Sequence, residues 1–270
     1  MDNMKPKVSI IMGIYNCSST LKESIHSLLE QTYTDWELIM CDDGSTDRTF
    51  HIAKEYADEY ENITLLTNEK NRGLAFSLNR CLSIAKGEYI ARQDGDDRSL
   101  PTRLEKEVTL LHDHPEFDIV STGMIFFDET GYWGEIRSVE KPEPIDLVVQ
   151  SPFCHAPCIV RKEALLRVNG YSFKRLTHRA EDYDLWFRMY ANGSRGYNIQ
   201  SPLYEVRDDR QAISRRKYMY RINEAYVRFQ GYRRLKLPAK CYFYAVRTLI
   251  IGLIPKGIYK RMRRKKYSLS

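Results

Sequence analysis

Apolar residues in the first hundred positions form two kinds of pattern, continuous runs and repeats at helical spacing. Continuous apolar runs, typical of strands buried on both faces of a parallel sheet, occupy residues 8–14, 36–41, 63–66 and 89–93. Between these runs, apolar side chains recur at helical spacing from Leu21, after Asp47 and from Leu74. Thr20 and Glu23 have the spacing of a capping box at the first helix. Four strands alternating with three helices predict βαβ units, a parallel sheet and right-handed crossovers.

The second half of the chain has weaker periodicity. Apolar residues at helical spacing predict a helix over residues 104–111, and apolar runs predict strands over residues 119–127 and 158–161. Another helix is predicted to begin near Glu181 and Asp182, with its apolar face turned inward. Acidic residues in a first helical turn complement the helix dipole. The two acids therefore have either a capping role alone or a chemical one.

Acidic residues cluster where the predicted strands end. Residues 42–47 contain three aspartates after the second strand, and Asp94, Asp96 and Asp97 surround one glycine after the fourth. The carboxyl ends of parallel strands share one edge of the sheet, where ligands of such folds bind. Crowded carboxylates repel one another unless a hard cation or hydrogen-bond donors offset their charge. We therefore expect Mg²⁺ or Mn²⁺ bridging carboxylates to substrate phosphates, with a polar turn as the alternative.

Several other kinds of site are disfavoured. No Gly-x-Gly-x-x-Gly and no Gly-Lys-Ser/Thr follows a predicted strand, so a dinucleotide fold and a P-loop are not supported. Cys154-His155-x-x-Cys158 has the look of half a zinc site, but no second ligand pair with suitable spacing follows. The six cysteines are scattered and the first seven residues lack an apolar signal segment. We therefore expect reduced thiols in the cytoplasm.

Positive charge is concentrated at the end of the chain. Residues 207–270 contain 19 Lys or Arg and 3 Asp or Glu, a net charge of +16, whereas the whole 270-residue chain carries +6 and residues 1–206 therefore carry −10. Residues 241–254 are apolar, but they are too short and too charged to span about 30 Å of hydrocarbon. They predict an interfacial segment on an anionic membrane surface. The alternative is a helical pair packed on the domain, and we expect no nucleic-acid partner.

Six motifs, in this order, resemble the family 2 glycosyltransferases of the GT-A fold over about residues 7–216. The motifs are residues 8–16, Gln31-Thr32-Tyr33, Asp42-Asp43-Gly44-Ser45-Thr46-Asp47, Asn71-Arg72-Gly73, Asp94-Gly95-Asp96-Asp97 with Pro101-x-Arg103-Leu104, and Glu181-Asp182-Tyr183-Asp184-Leu185-Trp186. Residues 151–155 and 161–163 look most like bacterial transferases that build capsule, exopolysaccharide or lipopolysaccharide O-chains.

The resemblance implies a fold and a domain organisation. The fold would be α/β, with a Rossmann-like, mostly parallel mixed sheet flanked by helices and a C-terminal basic helical extension. Residues 1–206 would form the catalytic domain, divided into a nucleotide-sugar-binding half (1–100) and an acceptor-binding half (101–206). Residues 207–270 would form the extension. The enzyme would then lie at the inner face of the cell membrane as a peripheral protein.

The resemblance also implies roles for individual residues. The donor would be a nucleoside diphosphate sugar, most often a UDP-sugar, and the acceptor a hydroxyl of a glycan or lipid-linked saccharide. The implied donor-binding residues are Tyr15, Asp42, Asp43, Arg72 and Asp94. Asp96 would bind Mn²⁺ or Mg²⁺, and Asp182 would be the general base of an inverting transfer. Glu181 would orient the reacting groups.

The chain departs from the family pattern after its last core strand. Many relatives have a histidine there that helps to bind the metal or the diphosphate, but residues 204–209 contain none. Arg207 is one candidate to contact phosphate instead, and Arg215 or Arg216 in the following loop is another. The Gln-x-x-Arg-Trp motif of processive synthases is also absent, which favours addition of one sugar per encounter.

Two other classes of function stay open on sequence alone. A nucleotidyltransferase that makes a sugar nucleotide would share the sheet and the metal carboxylates, but it should begin with a Gly-rich phosphate loop where this chain has Tyr15-Asn16-Cys17. A non-catalytic nucleotide- or membrane-binding protein would leave the acidic clusters without a use. Every acidic position that sugar transfer requires is occupied, so we favour the transferase.

Overall fold

A computed structural model describes residues 7–208 and 217–267 of the chain. Its first half alternates strictly between strands and helices. The elements are β1 (Val8–Ile14), α1 (Leu21–Leu29), β2 (Trp36–Asp42), α2 (Thr49–Glu59), β3 (Ile63–Thr67), α3 (Leu74–Ile84) and β4 (Tyr89–Arg92). The four strands are parallel, in the order β3-β2-β1-β4. This confirms the predicted βαβ units and parallel sheet.

The second half extends the same sheet. Its elements are β5 (Arg98–Ser99), α4 (Arg103–Asp113), β6 (Ile119–Asp128), β7 (Gly131–Ile136), β8 (Ile159–Arg161), α5 (Lys162–Arg167), α6 (Glu181–Ala191), β9 (Gly196–Arg207), α7 (Tyr218–Arg234), α8 (Tyr242–Ile251) and α9 (Lys256–Tyr267). The strand order continues from β4 through β8, β6 and β9 to β5, while β7 pairs with β6. Strand β8 is antiparallel to both of its neighbours, whereas β6 and β9 are parallel.

The sheet lies between two hydrophobic cores because helices cover both of its faces. Every residue of β2 is buried, as expected of a strand covered on both sides. Ile11 and Ile39 point into one core, which also contains α3 and α6, while Ile10 and Leu38 point into the other, with α1 and α4. Full burial of such a side chain contributes roughly 1.5–3 kcal/mol. The packing therefore holds the carboxyl ends of β1, β2 and β4 in fixed positions.

The predicted capping box at α1 is wrong. Thr20 precedes the helix but makes no side-chain capping bond. Its hydroxyl donates instead to the carbonyl oxygens of Cys17, at 3.2 Å, and Gly95, at 3.0 Å. Glu23 forms ion pairs with Arg98 and Arg207. Both side chains therefore bind groups elsewhere in the fold instead of capping α1.

The C-terminal helices pack on the sheet domain. Tyr232 is fully buried, and Gly231 lies so close to the Phe187 ring that an added Cβ would be 2.2 Å from its Cγ. Helix α8 returns along α7, and the Phe229 and Tyr242 rings meet with centroids 5.0 Å apart. Within residues 7–208 and 217–267, no helix is both long and apolar enough to cross a membrane.

Candidate active site

The acidic loop after β4 is held by side chains of α1. The Ser24 hydroxyl donates to the carbonyl of Asp94 at 2.7 Å, as the Thr20 hydroxyl does to that of Gly95. Gly95 itself packs on β1 and the loop that follows it, where an added Cβ would lie 2.9 Å from the Cys17 sulfur. A side chain larger than that of glycine would therefore displace its neighbours. Residues 94–97 form a turn, in which the Asp97 N–H donates to the Asp94 carbonyl at 3.4 Å, and the contacts from Thr20 and Ser24 anchor it.

Protein groups contact two of the three loop carboxylates. Asp94 forms an ion pair with Arg92, whose side chain is buried. The carboxylate of Asp97 accepts a hydrogen bond from the backbone N–H of Arg207 at 2.9 Å, but burial and the charge of Asp96 raise its pKa well above the ordinary value. The Tyr204 hydroxyl accepts a hydrogen bond from the backbone N–H of Asp94, at 3.0 Å. Hydrogen-bond donors of the protein therefore offset only part of the charge of the cluster.

Asp96 is the loop carboxylate that stays available. Its side chain is exposed to solvent, and in the described parts of the chain no side chain donates a hydrogen bond to it. Surrounding protein and the neighbouring charge of Asp94 raise the pKa of Asp96 to about 6. A carboxylate that is reachable by solvent and crowded by like charge is suited to bind a hard cation.

The residues present fit a divalent ion that is bound partly by a substrate. No group of three or more His, Cys, Asp or Glu side chains within residues 7–208 and 217–267 is arranged to hold a metal. Mg²⁺ and Mn²⁺ do not require such a cage, because they usually combine one or two carboxylates with water and phosphate oxygens. Asp96, with Asp94 beside it, is a donor set of this kind.

The acidic pair at the start of α6 lies in a protected environment. Burial is the largest cause that raises the pKa of Asp182 to about 6, and the charge of Glu181 adds to it. Glu181 has one carboxylate oxygen, Oε2, that is buried without a hydrogen-bond partner in the described structure. Both acids lie in the first turn of α6, and backbone N–H groups of Asp182 and Tyr183 lower the pKa of Asp182 against the effect of burial. The pair therefore contributes to the helix end, and it lies in a buried environment that capping alone does not require.

Arg92 connects the acidic loop with the acidic pair. It forms the ion pair with Asp94, and its positive charge lowers the pKa of Asp96 and of Asp182 against the opposing effect of burial. One buried guanidinium thus pairs with a carboxylate of the loop after β4 and acts electrostatically on a carboxylate of α6. The sequence predictions missed this residue, although an arginine at the end of a buried apolar strand is an available signal of a buried partner.

His155 belongs to the same neighbourhood. Its Nε2 lies 3.1 Å from the Tyr171 hydroxyl. Burial and the charge of Arg92 hold the pKa of His155 well below its usual range, so the imidazole is neutral. Cys154 and Cys158 are buried thiols whose pKa is raised by burial to about 12. The zinc interpretation of this segment gains no support from that environment.

Tyr15, Asp42 and Asp43, three of the residues predicted to bind the donor, lie at the ends of β1 and β2. Tyr15 is 47% exposed. The loop that carries it is tied to the loop after β2, because Asn16 Oδ1 accepts from the Thr46 N–H at 2.9 Å and Ser45 Oγ accepts from the Asn16 N–H at 3.0 Å. Residue 17 in turn lies near Asp96, whose charge adds to the raised pKa of Cys17. The structure therefore brings the first and fourth strand ends together, as predicted.

Asp43 holds the loop after β3, which contains Arg72 and Gly73. Its Oδ1 accepts from Asn68 Nδ2 at 2.7 Å and from the Arg72 N–H at 2.8 Å, and its Oδ2 accepts from the Gly73 N–H at 2.8 Å. Asp42 accepts from the Ser45 N–H, at 3.1 Å. The guanidinium of Arg72 lies 4.2 Å from the centre of the Phe76 ring. Asp43 thus has a structural task that its motif does not reveal.

Of the two arginines predicted to support the site, Arg207 and Arg215, only Arg207 is among the described residues. Arg207, at the end of β9, contacts the acidic loop through its backbone N–H and through Nε, which donates to the Asp96 carbonyl at 3.3 Å. Its guanidinium also pairs with Glu23 and lies over the Phe127 ring. Arg207 therefore lies beside the acidic loop, and its contact with phosphate stays a prediction. Arg215, like Arg216, lies outside the described residues.

Comparisons with known proteins identify the family. The sequence profile described as Glycosyl transferase family 2 matches residues 9–171. The chain belongs to this family. EpsE of Bacillus subtilis strain 168, named as a glycosyltransferase, is 49% identical over 265 residues, which cover 98% of this chain and 95% of EpsE. The Escherichia coli β-1,3-glucosyltransferase WfaP is 31% identical, over 74% of this chain and 77% of its own.

Solved structures agree with the fold. Staphylococcus aureus TarS, crystallised as residues 1–349 with UDP, superposes with a TM-score of 0.63 at 20% identity, covering 92% of this chain and 81% of that one. The mannosyltransferase PcManGT of Pyrobaculum calidifontis, in complex with GDP-Man and Mn²⁺, superposes with a TM-score of 0.64 at 21% identity, covering 96% and 80%. The predicted fold class is confirmed, and family 2 glycosyltransferase takes the place of the nucleotidyltransferase and non-catalytic alternatives.

Proposed function

We propose that this glycosyltransferase moves a sugar, with inversion, from a nucleoside diphosphate sugar to a hydroxyl of a lipid-linked saccharide during bacterial surface polysaccharide synthesis. UDP-sugar is the favoured donor class, because WfaP is named as a transferase from UDP-Glc to α-D-GlcNAc-diphosphoundecaprenol. A second Escherichia coli relative, 29% identical over 98% of this chain, is named for transfer from UDP-Gal to the same acceptor.

The observation that carries the proposal is one buried arginine that acts on two acidic groups. Arg92 pairs with Asp94 of the loop, and its charge lowers the pKa of Asp182 against the effect of burial. Sugar transfer needs a group that offsets the charge of the departing diphosphate. It also needs a base that deprotonates the acceptor hydroxyl. The acidic loop is suited to the first task by way of a divalent ion, and Asp182 to the second.

Asp182 has the properties of a general base. With a pKa of about 6, it is mostly ionised at neutral pH and is a stronger base than an ordinary aspartate. It would take the proton of the acceptor hydroxyl while that oxygen bonds to the anomeric carbon. The bond from that carbon to the diphosphate oxygen breaks, and its electron pair leaves with the nucleotide. Attack from the face opposite the diphosphate inverts the configuration.

The donor would lie across the ends of β1, β2 and β4. Tyr15 offers an exposed ring on which a nucleobase can stack, and Asp42, Asp43 and Arg72 would form the adjoining pocket wall. Asp94 and Asp96 would hold Mn²⁺ or Mg²⁺, which when bound offsets the charge of the departing diphosphate. Arg207 would contact phosphate. Glu181 would orient the acceptor beside Asp182.

A membrane-surface location accompanies this function as a proposal. Helix α8 exposes Phe243, Val246 and Ile250, each more than half accessible, and their spacing of three and four residues keeps them on one side. Leu253, just beyond the end of the helix, is exposed as well. The following helix, α9, contains seven Lys or Arg and no Asp or Glu. An apolar helix face next to basic residues is suited to an anionic leaflet, where a lipid-linked acceptor is found. The enzyme would thus be cytoplasmic and peripheral.

A transfer assay tests the proposed function. Purified protein is incubated with Mn²⁺, a synthetic lipid-diphosphate-linked GlcNAc acceptor and, in separate reactions, UDP-Glc, UDP-Gal and UDP-GlcNAc. We expect one donor to give a disaccharide product whose new linkage has the anomeric configuration opposite to that of the donor, as read by NMR. A product with retained configuration would refute the mechanism. UDP-sugar that neither binds nor reacts would refute the donor assignment.

A further inference from the structure

A cavity of about 340 Å³ lies between residues 168–177, helix α6 and helix α7. No residue of the acidic loop 94–97 lines it, so it is distinct from the proposed donor site. Its size is at the lower end of the roughly 300–1,000 Å³ typical of pockets for small ligands. Nothing in the proposed reaction with the donor uses this space.

The cavity wall has an excess of positive charge. Asp184 accepts hydrogen bonds from Arg188 Nε, at 2.7 Å, and from Arg234 Nη1, at 3.3 Å. Lys174 lines the same cavity, so three cationic side chains face one carboxylate. These four side chains together give the cavity wall a net charge of +2. Such a wall favours a ligand that carries an anionic group.

The cationic groups of the cavity are already positioned. Arg188 Nη1 donates to the carbonyls of Val168, at 2.6 Å, and Gly170, at 2.7 Å, which fixes its guanidinium against the 168–177 segment. Its remaining nitrogen, Nη2, is buried without a partner in the described structure. An Arg held in this way loses little side-chain entropy when it binds a carboxylate or phosphate. Arg234 keeps 42% of its side chain exposed and is accessible to a ligand.

The uncharged lining is suited to a sugar ring. Phe173, from the 168–177 segment, and Tyr226, from α7, are 64% and 40% exposed, so each offers an aromatic surface to a ligand. Asn169 and Gln230 add side-chain amides. Aromatic rings can cover the C–H face of a pyranose, while amides donate to and accept from its hydroxyl groups. This combination of a ring platform, amides and fixed cations matches a sugar that carries an acidic substituent.

The cavity lies across α6 from the proposed base. Asp182 and Asp184 are two positions apart on one helix, so their side chains point in very different directions. Tyr171 lines the cavity, and its hydroxyl contacts His155 on the catalytic side. A saccharide of several residues whose end reaches Asp182 can therefore place another residue near this cavity, since a helix is only about 10–12 Å across.

We propose that this cavity is an accessory site for an acidic sugar residue of the acceptor glycan, bound through its anionic group at Arg234 and Lys174. This inference rests on the proposed transferase function. It adds a preference for acceptors that contain a uronic acid or a similarly charged sugar. Neutral oligosaccharides of the same length would lack the charged contacts and bind more weakly.

Calorimetric titration of the full-length protein tests the site. The probes are a glucuronate-containing tetrasaccharide, the neutral chitin tetrasaccharide and inorganic phosphate. We expect saturable binding of the acidic tetrasaccharide alone. Arg234→Gln should weaken it at least ~10-fold through loss of a charge-assisted contact. Arg233→Gln, which removes the same charge from an exposed neighbour outside the cavity, should bind like the parent protein.

Several outcomes would overturn the inference. Equal binding of the neutral tetrasaccharide would exclude recognition of the charge, and phosphate that competes at similar concentration would reduce the site to a simple anion site. Equal losses in Arg233→Gln and Arg234→Gln would indicate long-range electrostatics. UDP titration of the same samples with Mn²⁺ present separates the two proposals. UDP binding without tetrasaccharide binding refutes the accessory site alone, whereas failure of UDP to bind refutes the proposed function.

Discussion

Replacing Asp182 with asparagine should stabilise the fold while it removes activity. The environment that makes Asp182 a good base also penalises its charge, since its pKa rises from 3.8 to about 6. Each pKa unit corresponds to about 1.4 kcal/mol. The ionised carboxylate therefore costs the folded state of the order of 2–3 kcal/mol at neutral pH. Asparagine has nearly the same shape and has no charge to desolvate.

The pH dependence of this stabilisation follows from the direction of the shift. As the pH rises past 4, Asp182 ionises first in the unfolded chain, so the folded protein binds more protons and loses stability up to about pH 6. Below pH 4 the carboxyl is neutral in both states. The stability gain of Asp182→Asn should thus be close to zero at pH 3.5 and fully present at pH 7.5.

Urea unfolding of the parent protein and Asp182→Asn at these two pH values measures the effect, and transfer assays measure activity. Turnover should fall by ~10²–10⁴-fold, the usual contribution of a general base, while UDP binding stays unchanged. Asp113→Asn, at the exposed end of α4, is the control and should alter neither quantity. A stability gain over the parent protein that is the same at both pH values, or turnover at the parent rate, would refute the reasoning.

Three more predictions concern the donor and the membrane. UDP binding measured by calorimetry should require Mn²⁺ or Mg²⁺ and be lost in Asp96→Asn; undiminished binding in EDTA would remove the metal role of Asp96. Tyr15→Ala should weaken UDP binding by ~10-fold or more, because base stacking contributes about 1–3 kcal/mol, and an unchanged Kd would exclude stacking. Ile250→Ser with Phe243→Ser should release the protein from phosphatidylglycerol vesicles in flotation assays, whereas Leu166→Ser, equally exposed on α5, should not.

Most of the fold could be predicted because its signals are local. The apolar runs marked β1 to β4 to within about one or two residues of their ends, since strands covered on both faces need continuous apolar sequence. The inward positions of Leu185, Trp186 and Met189 in α6 were also predicted, and all three are fully buried. The predicted capping box was wrong because Thr20 and Glu23 bind residues that are distant in the sequence, which no local pattern contains.

Some features of the candidate site could likewise be predicted from local signals, whereas others could not. Its aspartates and Tyr15 could be located from strand ends and motifs, because a parallel sheet gathers those ends at one edge. Asp43 was assigned to the nucleotide, and the structure shows in addition that it holds the loop at Arg72 and Gly73. The cavity beside α6 had no sequence signal. Its lining comes from three segments separated by up to about sixty residues, and only packing brings them together.

The sequence by itself determined the βαβ order, the acidic strand ends and the basic C-terminal helices, since each depends on neighbouring residues or on charge. Only the tertiary structure decided that Arg92 pairs with Asp94 and that its charge acts on the pKa of Asp182. It also decided that Asp96 is the loop carboxylate left without a donor in the described residues. Those properties arise from burial and from contacts between distant segments. Desolvation and Coulomb energy depend on distance in space rather than along the chain.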